Sequence, residues 1–128
     1  MTPRLRSAFI FLLFFRFPLL AEVTGRWTAG GAEVFVLRQR GNAVTGVIQG
    51  RPGDPTYKIV DGTVRGNRIF FFVLHEDEND PEVKANGGAP FHNVAQGTFT
   101  ADEISVSGSR ENTKIREYRL VLKRITKR

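Results

Sequence analysis

The chain has no cysteine, one methionine, one tryptophan and only two histidines among 128 residues. Without thiols it has no disulfide scaffold, thiolate metal site, iron–sulfur cluster, cysteine nucleophile or cysteine-linked lipid. Helical periodicity is also missing: from Val23 onward no stretch sustains the three- and four-residue apolar spacing of an amphipathic helix. Acids are the minority, 13 against 19 Lys and Arg, for a formal charge of +6. The length leaves room for one domain. An apolar content of 41% and a charged content of 25% exclude a disordered or collagen-like chain.

The one long hydrophobic run is at the start. Arg4 and Arg6 precede an unbroken apolar stretch from Ala8 to Phe15, and Phe17 to Ala21 extends it. A basic start, a short apolar region and a small residue at its end read as a secretory signal peptide over residues 1–21, cut after Ala21. A retained membrane helix would need about 20 apolar residues, and Arg16 near its middle would cost about 2.5–3.5 kcal/mol. The mature domain is then residues 22–128, periplasmic or secreted, with no stable membrane span. Cleavage takes away Arg4, Arg6 and Arg16 and no acid, so the formal charge falls from +6 to +3. The basicity of the whole chain is therefore partly a targeting feature and points to no nucleic-acid partner. The basic residues of the last strand, Arg119, Lys123 and Arg124 among them, fall on both faces and make no continuous stripe.

After the leader, Gly, Asn and Asp recur every 8–12 residues between β-branched and aromatic segments, the spacing of an all-β domain. Eight strands are expected: Val23–Thr28, Glu33–Arg40, Ala43–Gln49, Tyr57–Val64, Arg68–His75, Phe91–Thr100, Ile104–Arg110 and Ile115–Ile125. Gly41-Asn42 and Gly66-Asn67 are tight turns, and Glu76–Pro90 is a long acidic loop. Short connections force antiparallel neighbours. Closing the sheet removes both exposed edges. The expected fold is an eight-stranded antiparallel up-and-down barrel, wide enough to be filled by side chains or to hold one small ligand.

Alternation assigns the inner face. Phe35 and Leu37 point inward on the second strand, Val44, Gly46 and Ile48 on the third, and Tyr118, Leu120 and Leu122 on the eighth. On the fifth, Ile69, Phe71, Val73 and His75 share one face and Phe70, Phe72 and Leu74 the other. Both rows are apolar, so the outer one needs cover, from the Glu76–Pro90 loop or from a second copy in a homodimer.

Gly25-Arg26-Trp27 on the first strand resembles the start of calycin barrels, the lipocalins, fatty-acid-binding proteins and avidins. The resemblance implies that Trp27 closes one barrel end beneath a cation from the last strand, Arg119, Lys123 or Arg124, with Arg119 taken as the structural partner. Val44-Thr45-Gly46 is similar to the avidin third strand, but Ala29 and Ile48 stand where biotin-binding residues are expected, so biotin binding is not expected. Asp61-Gly62-Thr63-Val64-Arg65-Gly66-Asn67-Arg68-Ile69-Phe70-Phe71 is closer to a pattern of small exported, uncharacterised bacterial barrels. That pattern consists of turn and core residues and implies a fold without a reaction.

The candidate chemistry is sparse. Five acids cluster in the Glu76–Pro90 loop, and His75 and His92 flank it. Paired across neighbouring strands, the two histidines with a carboxylate would suit a divalent metal or acid–base work, but their spacing matches no fixed metal motif. Ser105, Ser107 and Ser109 lack a local base for nucleophilic chemistry. Asn86-Gly87-Gly88 lacks the helix that a phosphate cradle needs. The expected function is binding of a small apolar or amphipathic ligand inside the barrel by Phe35, Leu37, Ile48, Phe71, Val73, His75, His92 and Tyr118, with no cofactor, no resident metal and no catalytic residue assigned. At a mouth with two histidines, an anionic amphiphile would bind more tightly as the pH falls through about 6.5. The alternatives are a filled interaction or inhibitor barrel and a mouth enzyme using His75, His92 and the nearby acids.

Overall fold

The computed structural model describes residues 22–110 and 118–126. Both the leader and the start expected for the last strand at Ile115 lie outside these residues. Among them the strands are β1 (Gly25–Thr28), β2 (Val34–Arg40), β3 (Ala43–Gln49), β4 (Tyr57–Arg65), β5 (Arg68–His75), β6 (Phe91–Phe99), β7 (Glu103–Arg110) and β8 (Tyr118–Arg124). They pair in sequence order into a closed antiparallel barrel, with β8 returning to β1 at Trp27↔Arg124 and Thr28↔Lys123. The expected all-β class, strand order and closure are therefore observed. Gly41 and Gly66 take φ of 60° and 62° in the two tight turns, where a side chain would be strained.

Alternation fills the interior. Phe35 and Leu37, Val44 and Ile48, Ile69, Phe71 and Val73, Ile104 and Val106, and Leu122 are all buried. On β4 a register shift between Val60 and Thr63 breaks the two-residue period. Asp61 adopts φ 51° there. A bulge of this kind inserts one residue and changes the parity of the strand beyond it. Ile59, Gly62 and Val64 all enter the barrel as a result, while Asp61 and Thr63 remain exposed.

One end is closed by Trp27, which is fully buried. Its Nε1 donates to the Val23 carbonyl at 3.0 Å, and the Arg124 guanidinium lies 4.3 Å from the ring centre. Arg124 also donates to the carbonyls of Ala101 (2.7 Å), Thr24 (2.8 Å) and Glu22 (2.8 Å). The cation over Trp27 is thus Arg124 and not Arg119. The reason is register: Arg124 pairs directly with Trp27, whereas Arg119 pairs with Ser107 on β7 and is exposed.

The Glu76–Pro90 connection, expected to be loop throughout, contains a short helix, α1 (Pro81–Ala85). The outer row Phe70, Phe72 and Leu74 is half-buried, with Phe70 edge-on to Phe72 at 5.1 Å and Phe72 5.3 Å from the His92 ring. Among the described residues no helix is long and apolar enough to cross a membrane.

Candidate functional site

The barrel is solid at the Trp27 end and hollow at the other. A cavity of about 210 Å³ opens there, lined by the apolar side chains of Phe35, Ile48, Phe71, Val73, Ala95, Val106 and Leu120 and the polar ones of Glu33, Tyr57, His75, Glu82, Asn93 and Tyr118. Strand ends supply its walls. Tyr57 begins β4, His75 ends β5, Asn93 lies near the start of β6 and Tyr118 begins β8. Gly108 pairs with Tyr118, and a Cβ at Gly108 would sit 2.5 Å from the tyrosine hydroxyl. The missing side chain makes room for that ring.

The centre of the polar corner is His75, 6% exposed, against Asp80, 1% exposed. Asp80 is the N-cap of α1: one carboxylate oxygen, Oδ1, accepts from the Glu82 N–H at 2.9 Å, and Pro81 opens the first turn. The other oxygen, Oδ2, lies 2.9 Å from His75 Nδ1. An ionised carboxylate only accepts, so Nδ1 carries the proton and donates to it. His75 Nε2 is then the acceptor for Asn93 Nδ2, at 3.1 Å. Phe91 stacks on the imidazole at 4.5 Å and 9°, and Tyr57 approaches it at 4.5 Å and 42°. One side chain thus ties the helix cap to the barrel rim, and the stacked rings hold the imidazole in place.

Burial, with smaller contributions from the carboxylates of Asp80, Glu33, Glu82 and Asp54, pushes the Tyr57 phenol up to about 12. Burial also raises the Tyr118 phenol above its ordinary 10.0. The unfolded chain ionises its tyrosines near 10 while the folded one retains the protons. The contribution of Tyr57 to stability is therefore complete below about 10 and is lost as the pH rises toward 12. Ultraviolet titration of the folded protein is expected to show no tyrosinate step at about pH 10. A full step there in protein that remains folded would contradict the packing of both rings.

Six of the eight expected ligand-binding residues, Phe35, Ile48, Phe71, Val73, His75 and Tyr118, stand on the cavity wall. Leu37 does not; it is buried in the packed core. His92 is a correction. Strand β6 begins one residue earlier in the pairing than a His75–His92 match needs: Phe91 pairs with His75, and His92 with Leu74. A one-residue difference in parity reverses the face, so His92 lies outside against Phe72 and Asn93 enters the barrel. The two histidines do not converge on a metal or an acid–base pair. Among the described residues no group of three or more His, Asp or Glu is placed to hold a metal ion.

Sequence reasoning missed Tyr57 and Asn93, and took Asp80 only as one of five acids at the mouth. The signal for Asp80 is present in Asp80-Pro81-Glu82, an N-cap residue, a proline at the first helical position and an acid in the first turn. The inward position of Tyr57 is implied by its two-residue spacing to Ile59. No local pattern marks Asn93, whose place depends on the β5–β6 register.

No family model, no curated protein and no solved structure matches the chain.

Proposed function

We propose that the protein is an exported barrel that binds one small amphipathic molecule in the cavity at its mouth. The cavity itself carries this reading: it has an apolar floor and wall with a few polar groups gathered at one corner, the usual composition of a small-molecule site. Its size sets the class. A dry cavity of about 150 Å³ holds benzene, and drug-sized ligands occupy about 300–1,000 Å³. At about 210 Å³ the fit is to one substituted ring. The Gly25-Arg26-Trp27 start, with Arg124 over the indole, is similar to calycin barrels and supports a ligand-carrying role. The basic-then-apolar first 21 residues support export. Intact mass of protein from its native host should then begin at Glu22, and a chain retaining Met1 or Thr2 would reject export.

Binding is tested by titrating ¹⁵N-labelled protein with indole. Saturable shifts confined to Phe35, Phe71, Ala95 and Val106 are expected. Ala95→Leu, which extends a buried wall residue into the space, should abolish them while the rest of the spectrum is kept. If indole and toluene both leave the spectrum unchanged, the interior is closed to ligands and the interaction-barrel alternative holds.

A further inference from the structure

The polar corner of the cavity sets a condition on the ligand beyond its size. The buried Asp80 carboxylate fixes the proton on His75 Nδ1, which leaves Nε2 as an acceptor. Its donor is Asn93 Nδ2, 3.1 Å away, and both residues line the cavity. Phe91 and Tyr57 hold the imidazole ring from two sides, so Nε2 keeps its direction when the Asn93 amide moves. A polar group entering between them must therefore accept from one nitrogen and donate to the other.

We infer that the ligand is a neutral, ring-sized molecule carrying a hydroxyl group, a phenol or an aryl alcohol, whose oxygen inserts between His75 Nε2 and Asn93 Nδ2. The inference rests on the proposed binding at the mouth. A hydroxyl accepts and donates with one atom, so both nitrogens remain satisfied. A carboxylate accepts from Asn93 but presents no proton to Nε2. It also meets the carboxylates of Glu33 and Glu82 in the cavity wall and of Asp80 behind the imidazole, and like charges brought together disfavour the complex. Burial is the main cause of the elevated Tyr57 phenol, and the same carboxylates add smaller contributions in the same direction. An ammonium is drawn by those same carboxylates and donates to Nε2, but it leaves the Asn93 N–H facing a cation. Each such orphan costs affinity, because a buried donor or acceptor without a partner loses its water and gains nothing. The aromatic walls, Phe35, Phe71 and Tyr118, suit a ring as the apolar body.

The experiment is ¹⁹F NMR titration of the protein at pH 7.5 with four probes that share one ring: fluorobenzene, 4-fluorophenol, 4-fluorobenzoate and 4-fluorobenzylamine. 4-Fluorophenol should bind about tenfold more tightly than fluorobenzene, the worth of roughly one well-made net hydrogen bond. Asn93→Leu should reduce the phenol's advantage over fluorobenzene, measured within the same variant, to about twofold or less; Asn93→Ala serves if the leucine variant fails to fold. Equal affinity for fluorobenzene and 4-fluorophenol would retain the cavity and overturn the hydroxyl assignment. Tighter binding of the benzoate or the benzylamine, or an advantage unchanged in the Asn93 variants, would overturn it too. If none of the four probes binds the wild type, the binding reading itself fails, and the hydroxyl assignment with it.

Discussion

Trp27→Ala is expected to lower the stability of the barrel by about 3–5 kcal/mol, the range for deleting a large buried aromatic. The position favours the upper part of that range. Trp27 is fully buried, and its truncation removes three things together: the packed indole, its hydrogen bond to the Val23 carbonyl and the surface on which Arg124 rests. Arg124 joins the last strand to the carbonyls of Glu22, Thr24 and Ala101. Among the described residues the β1–β8 seam is short, with two paired positions and one further backbone bond from the Ile125 N–H to the Arg26 carbonyl, so these side-chain links reinforce the closure of the barrel. Arg124→Ala should accordingly destabilise by a smaller amount, about 0.5–2 kcal/mol from the cation–π contact alone, plus the lost carbonyl bonds. Urea unfolding monitored by circular dichroism checks both variants. An unchanged midpoint and slope for Trp27→Ala would mean that the seam closes without the indole. Gly25 belongs to the same closure: its φ is 143°, and a Cβ there would stand 2.6 Å from an Arg124 guanidinium nitrogen.

Most of this frame is legible in the chain because a barrel built from hairpins is locally encoded. Turns at Gly41-Asn42 and Gly66-Asn67 set the hairpins, and a two-residue period assigns faces wherever the strand is regular. Ile69, Phe71, Val73 and His75 are readable as one face for that reason. The limits are equally local. Asp61 at positive φ shifts the parity of β4, and no alternation rule can detect a bulge beforehand. The strand carrying Arg124 is readable, but its register against Trp27 is not, because that pairing joins strands about 100 positions apart. Alternation alone does not tell Arg119 from Arg124 as the cation at the seam.

The site is less legible than the fold. His75 belongs at the mouth because it completes the inward row of β5. Proximity across the loop suggests His92 as its partner, yet a single residue of register sends His92 to the outer surface and Asn93 inward. The expectation of an anionic amphiphile held between two histidines loses its second anchor. The remaining histidine is occupied by a buried carboxylate instead. Asp80 is inconspicuous among five acids of one loop, because composition makes the segment look uniformly solvated. Burial distinguishes it: Glu76, Glu78 and Glu82 are exposed, while Asp80 is not.

The Asp80–His75 pair should produce the second large effect. Both side chains are nearly excluded from water, 1% and 8% exposed, so each desolvates the other and each depends on the other for compensation. Removing one partner leaves the survivor a buried polar group short of a hydrogen bond, which typically costs about 1–3 kcal/mol and more where the survivor is the carboxylate. Asp80→Ala should fall in that range and add the loss of the α1 cap, for which an alanine typically costs about 1 kcal/mol. Asp80→Asn should cost less than Asp80→Ala, because its one carbonyl oxygen can keep either the cap bond or the bond from Nδ1–H, though not both. His75→Phe leaves a buried carboxylate that retains only the Glu82 N–H, and it should approach the cost of Asp80→Ala. The double replacement His75→Phe/Asp80→Leu removes both polar groups and fills the space with apolar atoms, so it should be less destabilising than the sum of the singles by about 1–3 kcal/mol. Chemical denaturation of the wild type, His75→Phe, Asp80→Leu and the double variant completes the cycle. Additive losses would mean that the two residues act independently, with α1 held to the rim by Val83, itself buried. A favourable coupling of the expected size would assign the attachment of the helix over the cavity to one hydrogen-bonded pair, the same pair that fixes which nitrogen of His75 faces Asn93.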